Sequence, residues 1–167
     1  METKENKIDI TQVKVGMFWY EDDTFSFVRI AGKKVKAIVE LVEDDVIYGD
    51  LMASELFDIN EQNMTWNVAK NYIENFSYPC KENEKIVWYD VVMLKKVCKY
   101  CLILKAAFQK IGKRYRDMSY WSSDVASCGY AWVVMFYADA LAGYSNAYSS
   151  KKSFHYNIRP VLALKVD

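Results

Sequence analysis

Residues 33–52, KKVKAIVELVEDDVIYGDLM, limit what this chain can fold into more than any other stretch. Val35, Ala37, Val39 and Leu41 alternate with Lys36, Ile38, Glu40 and Val42, which is the period of a β-strand with one buried face. Glu43-Asp44-Asp45 makes a charged turn, and Val46 to Met52 returns as a second strand. Upstream, Val13 to Tyr20 and Phe25 to Ala31 are further β-rich runs, separated by the polar turn Glu21 to Thr24 and closed by Gly32-Lys33.

The middle of the chain changes period. Trp66, Ala69, Ile73 and Phe76 share one face of a helix that Thr65 can cap, and Tyr78-Pro79 closes it. Asp90 is the N-cap expected for a second helix over Val91 to Cys101. An amphipathic piece with Leu104, Phe108 and Ile111 on one side follows and ends at Gly112. Beyond Lys113-Arg114 the chain is β again, over 120–123, 130–137 and 157–166. Strands, then helices, then strands give an α+β fold with antiparallel strands and two main helices. The length of 167 residues fits one domain over 1–167.

Composition narrows the function classes. Lys plus Arg equals Asp plus Glu at 22 each, so there is no overall basic excess for nucleic acid. The short runs Lys33-Lys34, Lys95-Lys96 and Lys113-Arg114 read as solvated faces, and only their clustering on one face would say otherwise. The N-terminal METKENKIDI has no signal-peptide pattern, and no apolar stretch is long enough for a membrane span. Synthesis in a cytoplasm is expected, with a phage particle or a cell surface reachable by another route.

Catalytic and metal chemistry finds little support. Cys98 and Cys101 form a C-x-x-C, but Val91, Leu94, Cys98 and Cys101 recur at helical spacing, so both thiols belong to an apolar stripe. A zinc site needs two further ligands at suitable spacing, and the single histidine, His155, lies far along the chain. His155 sits in no recognisable nucleophile context. Asp22-Asp23 and Asp44-Asp45 fall in turns, and neither a glycine-rich phosphate loop nor an EF-hand loop is present. No metal and no cofactor are expected, and the chain is not expected to be an enzyme.

Residues 120–150 are set apart from the rest. They hold five Tyr, six Ser, six Ala and two Gly, and their only charges are Asp124 and Asp139. Tyrosine gives broad amphipathic contact with few torsions to freeze, and Ser, Gly and Asn give adaptable hydrogen bonds. A tyrosine-rich core strand accounts for Tyr130 to Phe136, where Trp132, Val134 and Phe136 alternate. It accounts poorly for 137–150, which lacks a core's Val, Ile and Phe and shows no clean period, as a loop or irregular strand pair would. A contact surface over 124–155 is therefore expected. Its candidate ligand-binding residues are Asp124, Ser127, Cys128, Tyr130, Tyr137, Asp139, Tyr144, Ser145, Asn146, Tyr148 and His155. Trp121, Trp132, Phe136 and Arg159 are framework, Arg159 with either backbone carbonyls or a buried carboxylate as partner.

Tyr120-Trp121-Ser122-Ser123, Ala131-Trp132-Val133-Val134-Met135-Phe136 and Ile158-Arg159-Pro160-Val161 together resemble the C-type-lectin-like fold of the formylglycine-generating-enzyme type. That form occurs in variable proteins of diversity-generating retroelements and in related gut-bacterial domains. Trp66 and Ala69 on a first helix, and Trp88 with Leu94 at the entry to a second, agree in order, although Trp88-Tyr89-Asp90 departs from the family's Trp-x-Leu-Pro. The resemblance implies a receptor-type protein whose diversified surface over 120–161 binds a macromolecular partner, protein foremost, on a cell surface. In such proteins adenine-directed mutagenesis of asparagine codons reaches every residue type found in 124–130 and 137–150, but not Trp, Met or Lys. Trp121, Trp132, Met135, Lys151 and Lys152 would be fixed. The calcium-binding triplets of true lectins are missing, and the enzyme's cysteine pair has no counterpart. Two alternatives stay open: a non-variable structural or adhesin-like domain of a surface assembly, and an enzyme of the formylglycine-generating type.

Overall fold

The computed structural model describes residues 7–52, 63–115, 118–136 and 145–166. Among the described residues it is mixed α+β, with two antiparallel sheets and three α-helices. The strands are β1 (Phe18–Tyr20), β2 (Phe25–Ser26), β3 (Val35–Glu43), β4 (Val46–Leu51), β5 (Glu84–Trp88), β6 (Ser119–Ser127), β7 (Tyr130–Phe136), β8 (Ser145–Lys151) and β9 (Pro160–Lys165). The helices are α1 (Trp66–Glu74), α2 (Val91–Cys98) and α3 (Cys101–Lys110). Six strands form one sheet in the order β2-β1-β3-β4-β9-β5, and β6-β7-β8 form the other.

The β3–β4 hairpin is the one read from sequence. Asp44 and Asp45 both take left-handed backbone, φ 49° and 60°, as the two central residues of a tight turn between the paired Glu43 and Val46. That geometry matches the strands' twist, and Asp tolerates it better than most residues. β3 differs from expectation in being buried on both faces. Ala37 and Val39 enter one apolar cluster with Trp19, Ile47 and Leu162, while Ile38 and Leu41 enter another on the opposite face. The charged positions on β3 go inside as well. Lys36 bridges Asp23 and Glu84 at 2.7 and 2.6 Å and stands 4.4 Å from the Trp19 ring. Burial alone would raise Asp23, but its hydrogen bonds from Lys36, Lys81 and Trp19 outweigh that and hold it below the usual carboxylate range.

Other boundaries shift for local reasons. The run 25–31 keeps only Phe25-Ser26 as strand, because Ser26 Oγ accepts the Val28 N–H and the Tyr20 hydroxyl accepts the Ile30 N–H while donating to the Val28 carbonyl. Backbone groups bonded to side chains are lost to a ladder. In the run 13–20 only Phe18–Tyr20 is strand, after Gly16 turns the chain at φ 88°. The second helix ends at Cys98 rather than Cys101, where the Lys99 and Tyr100 N–H groups bond three residues back and tighten the last turn. β5 has no clear signal in the sequence, because its Ile86-Val87 core is too short to show a period.

The large sheet, α2, α3 and the small sheet meet in one core. Phe18, Tyr20 and Ile38 face Leu94, Val97, Cys98, Cys101, Leu104 and Phe108, with Tyr120, Val134 and Phe136 closing the side. Both C-x-x-C thiols are fully buried and unoxidised, as the apolar stripe required. Arg159 is the charge within this core. Its guanidinium lies 2.7 Å from Glu40 and 3.1 Å from Asp50, and between 5.4 and 5.7 Å from the ring centres of Tyr115, Tyr120 and Phe136. Of the two partners left open for it, the carboxylate is the one found. The pairing register of β3 with β4 shifts between Val39 and Leu41, so Glu40 sits in a bulge. A bulge re-aims a side chain, here onto Arg159.

Candidate contact surface

Three tryptophans hold the small sheet in place. The indole N–H of Trp66 donates to the Ser122 carbonyl at 2.9 Å, that of Trp88 to the Trp121 carbonyl at 3.0 Å, and that of Trp121 to the Met64 carbonyl at 2.8 Å. Trp121 meets Tyr156 edge-on at 4.8 Å between ring centres. β6 is thereby tied to α1, to the end of β5 and to the chain before α1. A rigid frame of this kind is what a contact surface needs if its outer residues are to be pre-arranged.

β6 is irregular against β7. Trp121 pairs with Val133 and Val125 with Ala131, so the β6 side carries two extra residues between these pairs. In that bulge Ser122 Oγ donates to the Trp132 carbonyl at 3.0 Å and accepts from the Asp124 N–H at 3.2 Å. The Asp124 carboxylate turns back and accepts the Val91 N–H at 3.0 Å, at the start of α2. Asp90 accepts from Met93 N–H at 2.8 Å in the same turn, as its sequence position predicts. Asp124 is half-buried and acts as a second cap from another element.

The strands then run out to a tip. Ser127 pairs with Tyr130, and Gly129 between them adopts φ 83°, where a Cβ would meet nothing within 4 Å. The Gly129 carbonyl accepts the Lys152 N–H at 2.8 Å, so the loop after β8 is fastened to this turn. Lys152 lies over the Trp66 ring at 4.4 Å, and the Trp66 backbone N–H donates to the Lys152 carbonyl at 3.1 Å. On this doubly anchored tip Ser127, Cys128, Tyr130 and His155 are all exposed. Two exposed apolar residues that the sequence reading passed over join them, Val125 and Phe154, each 52% exposed. Phe154 carried a signal in being a large apolar side chain directly after Lys151-Lys152-Ser153.

The remaining candidates separate from the tip. Asn146 pairs with Met135, five positions from the Tyr130–Lys151 pair and so roughly 17 Å along the strands. Its side chain is exposed, and Ser145 pairs beside it with Phe136. Tyr148 is half-buried against the cluster of Trp66, Trp121 and Ala131. Tyr137, Asp139 and Tyr144 lie outside the described residues. The tip's chemistry is that of contact: aromatic and aliphatic surface, a hydroxyl, an imidazole and a thiol. Among the described residues no three His, Cys, Asp or Glu side chains are grouped to hold a metal ion. Compared with family models, with curated proteins and with solved structures, the chain matches none.

Proposed function

We propose that this chain is a ligand-binding protein of the receptor type on a C-type-lectin-like scaffold. Its surface over 124–155 meets a macromolecular partner, a protein foremost, and makes or breaks no covalent bond. The observation that carries this reading is the tip of the small sheet. Tyr130, 39% exposed, stands there with Val125, Phe154 and His155 on a frame fixed by three tryptophan hydrogen bonds. Rigid placement of exposed aromatics lowers the ordering cost of binding, and adjacent serines supply hydrogen bonds that adapt to the partner. The resemblance of 120–123, 131–136 and 158–161 to variable proteins of diversity-generating retroelements adds that the surface is diversified.

The test is sequencing of the coding locus across the population that carries it. Non-synonymous variation is expected to concentrate in codons 124–155, above all at Ser127, Cys128, Tyr130, Asn146 and His155. Trp121, Trp132 and Arg159 are spared. Asp124 and Ser150 vary less than their neighbours, because one caps α2 and the other is buried with its hydroxyl 3.1 Å from that of Tyr156. Even or absent variation ends the diversified reading and favours the fixed structural or adhesin-like domain.

A further inference from the structure

Acidic residues avoid two segments of this chain entirely. Residues 24–39 contain Arg29, Lys33, Lys34 and Lys36, and residues 91–115 contain six Lys and Arg114, with no Asp or Glu in either. The fold lays the two segments side by side. Ile103 of α3 and Phe27 both lie against Gly16, where an added Cβ would come within 2.7 Å of Ile103 Cγ2 and 3.9 Å of Phe27 Cε1. Two helical turns further on, Lys110 donates to the Phe27 carbonyl at 3.4 Å. Ile103, Ala106 and Lys110 therefore form one exposed stripe of α3 alongside the 27–30 loop.

This face is apolar as well as basic. Phe27, Val28, Ile30, Leu102 and Ile103 are all exposed, Val28 to 71%. The Tyr20 hydroxyl pins Val28 and Ile30 outward through its two backbone bonds. The lysine doublets are partly spent, since Lys33, Lys34 and Lys96 pair with Asp22, Glu21 and Glu43. Arg29, Lys99 and Lys110 form no ion pair among the described residues. These three basic residues are not those of the three short runs in the sequence.

We propose that the α3 face with the 27–30 loop docks on an anionic lipid surface. A bilayer interface offers hydrocarbon for the protruding Val28, Leu102 and Phe27, and phosphate or carboxylate charge for Arg29, Lys99 and Lys110. A protein partner fits less well. Lysine is depleted at protein interfaces, and Val and Leu are poor hot spots beside the Trp, Tyr and Arg that this face mostly lacks. Nucleic acid fits less well again, because exposed Val, Ile and Leu do nothing for a phosphate backbone. No strand of the small sheet belongs to this face, so the proposal stands independently of the contact surface over 124–155.

The experiment is co-sedimentation of the full chain with vesicles of phosphatidylcholine, pure or with about a third phosphatidylserine. Binding is expected only to the mixed vesicles and is expected to weaken as salt rises. Arg29→Glu with Lys99→Glu, and separately Val28→Ser with Leu102→Ser, should each lower the bound fraction about tenfold. All four side chains are exposed, and unchanged melting confirms that each variant folds. Tyr130→Ala should sediment as the wild type. Absence of binding to the mixed vesicles overturns the proposal. So does binding that the Val28/Leu102 variant leaves intact, or that duplex DNA or an acidic protein competes away at the same ionic strength, since either result marks a merely electrostatic or non-lipid face.

Discussion

Arg159 is buried in the core beside two carboxylates, Glu40 and Asp50. Charges so placed are costly unless each finds a partner, and breaking such a set leaves uncompensated charge behind. Arg159→Met is expected to lower unfolding free energy by about 3–5 kcal/mol in denaturant titration. Adding Glu40→Gln to that variant should recover part of the loss, because one buried carboxylate fewer remains unpaired. Glu40 also has its own titration. Burial pushes its pKa up, against the pull of Arg159 and with the push of Asp50. A raised folded-state value means the folded protein holds this proton more tightly than the unfolded chain does. The resulting stability is complete below the ordinary value of 4.5 and is lost as pH rises through the folded value. The melting temperature of the wild type relative to Glu40→Gln should therefore fall as pH is raised from about 4.5. A difference that is flat or rises with pH would contradict this account of Glu40.

Two elements depend on a close approach and on a borrowed cap. β4 passes β3 and the Trp19 ring so closely that a Cβ at Gly49 would lie 2.8 Å from Ala37 Cβ and 2.9 Å from Trp19 Cε3. Both neighbours are fully buried and cannot yield cheaply. Gly49→Ala is expected to cost about 1–3 kcal/mol in equilibrium denaturation. α2 takes its second N-terminal acceptor from Asp124, thirty-three residues away. Asp124→Ala should cost about 1 kcal/mol, and Asp124→Asn, which keeps an acceptor, much less. Equal stability of both variants with the wild type would return Asp124 to the surface role its sequence position suggests.

The whole molecule sorts its four thiols by tertiary position. Cys98 and Cys101 are sealed between the two sheets and the helices, with their sulfurs 3.6 Å apart, while Cys80 and Cys128 are exposed. Titration of the native protein with a thiol-reactive dye should count two reactive cysteines, rising to four on unfolding. Partial burial raises the Cys80 thiol above its ordinary value, so its reaction should still be gaining rate on the alkaline side of that value. Three or four fast thiols in the native state would mean that the helix pair opens readily from the core.

Sequence determined what is local. Period-2 alternation over 35–42, the charged turn at 43–45, the Asp90 cap and the apolar stripe through Cys98 and Cys101 each depend on neighbours a few residues away. The exposed end of the tyrosine- and serine-rich stretch was legible too, at Ser127, Cys128 and Tyr130. Tertiary structure decided what depends on distant chain. Glu40 and Arg159 are 119 residues apart, and only a bulge in β3 aims one at the other. The β6 bulge turns Asp124 from solvent to helix, and packing against Trp66 and Trp121 half-covers Tyr148, though no local period marks either. Arg29 and Lys110, which no basic run in the sequence marks, share an apolar face only because α3 lies beside the 27–30 loop. Local patterns carry the sign and spacing of side chains; which surfaces they build depends on burial shared between segments far apart in sequence.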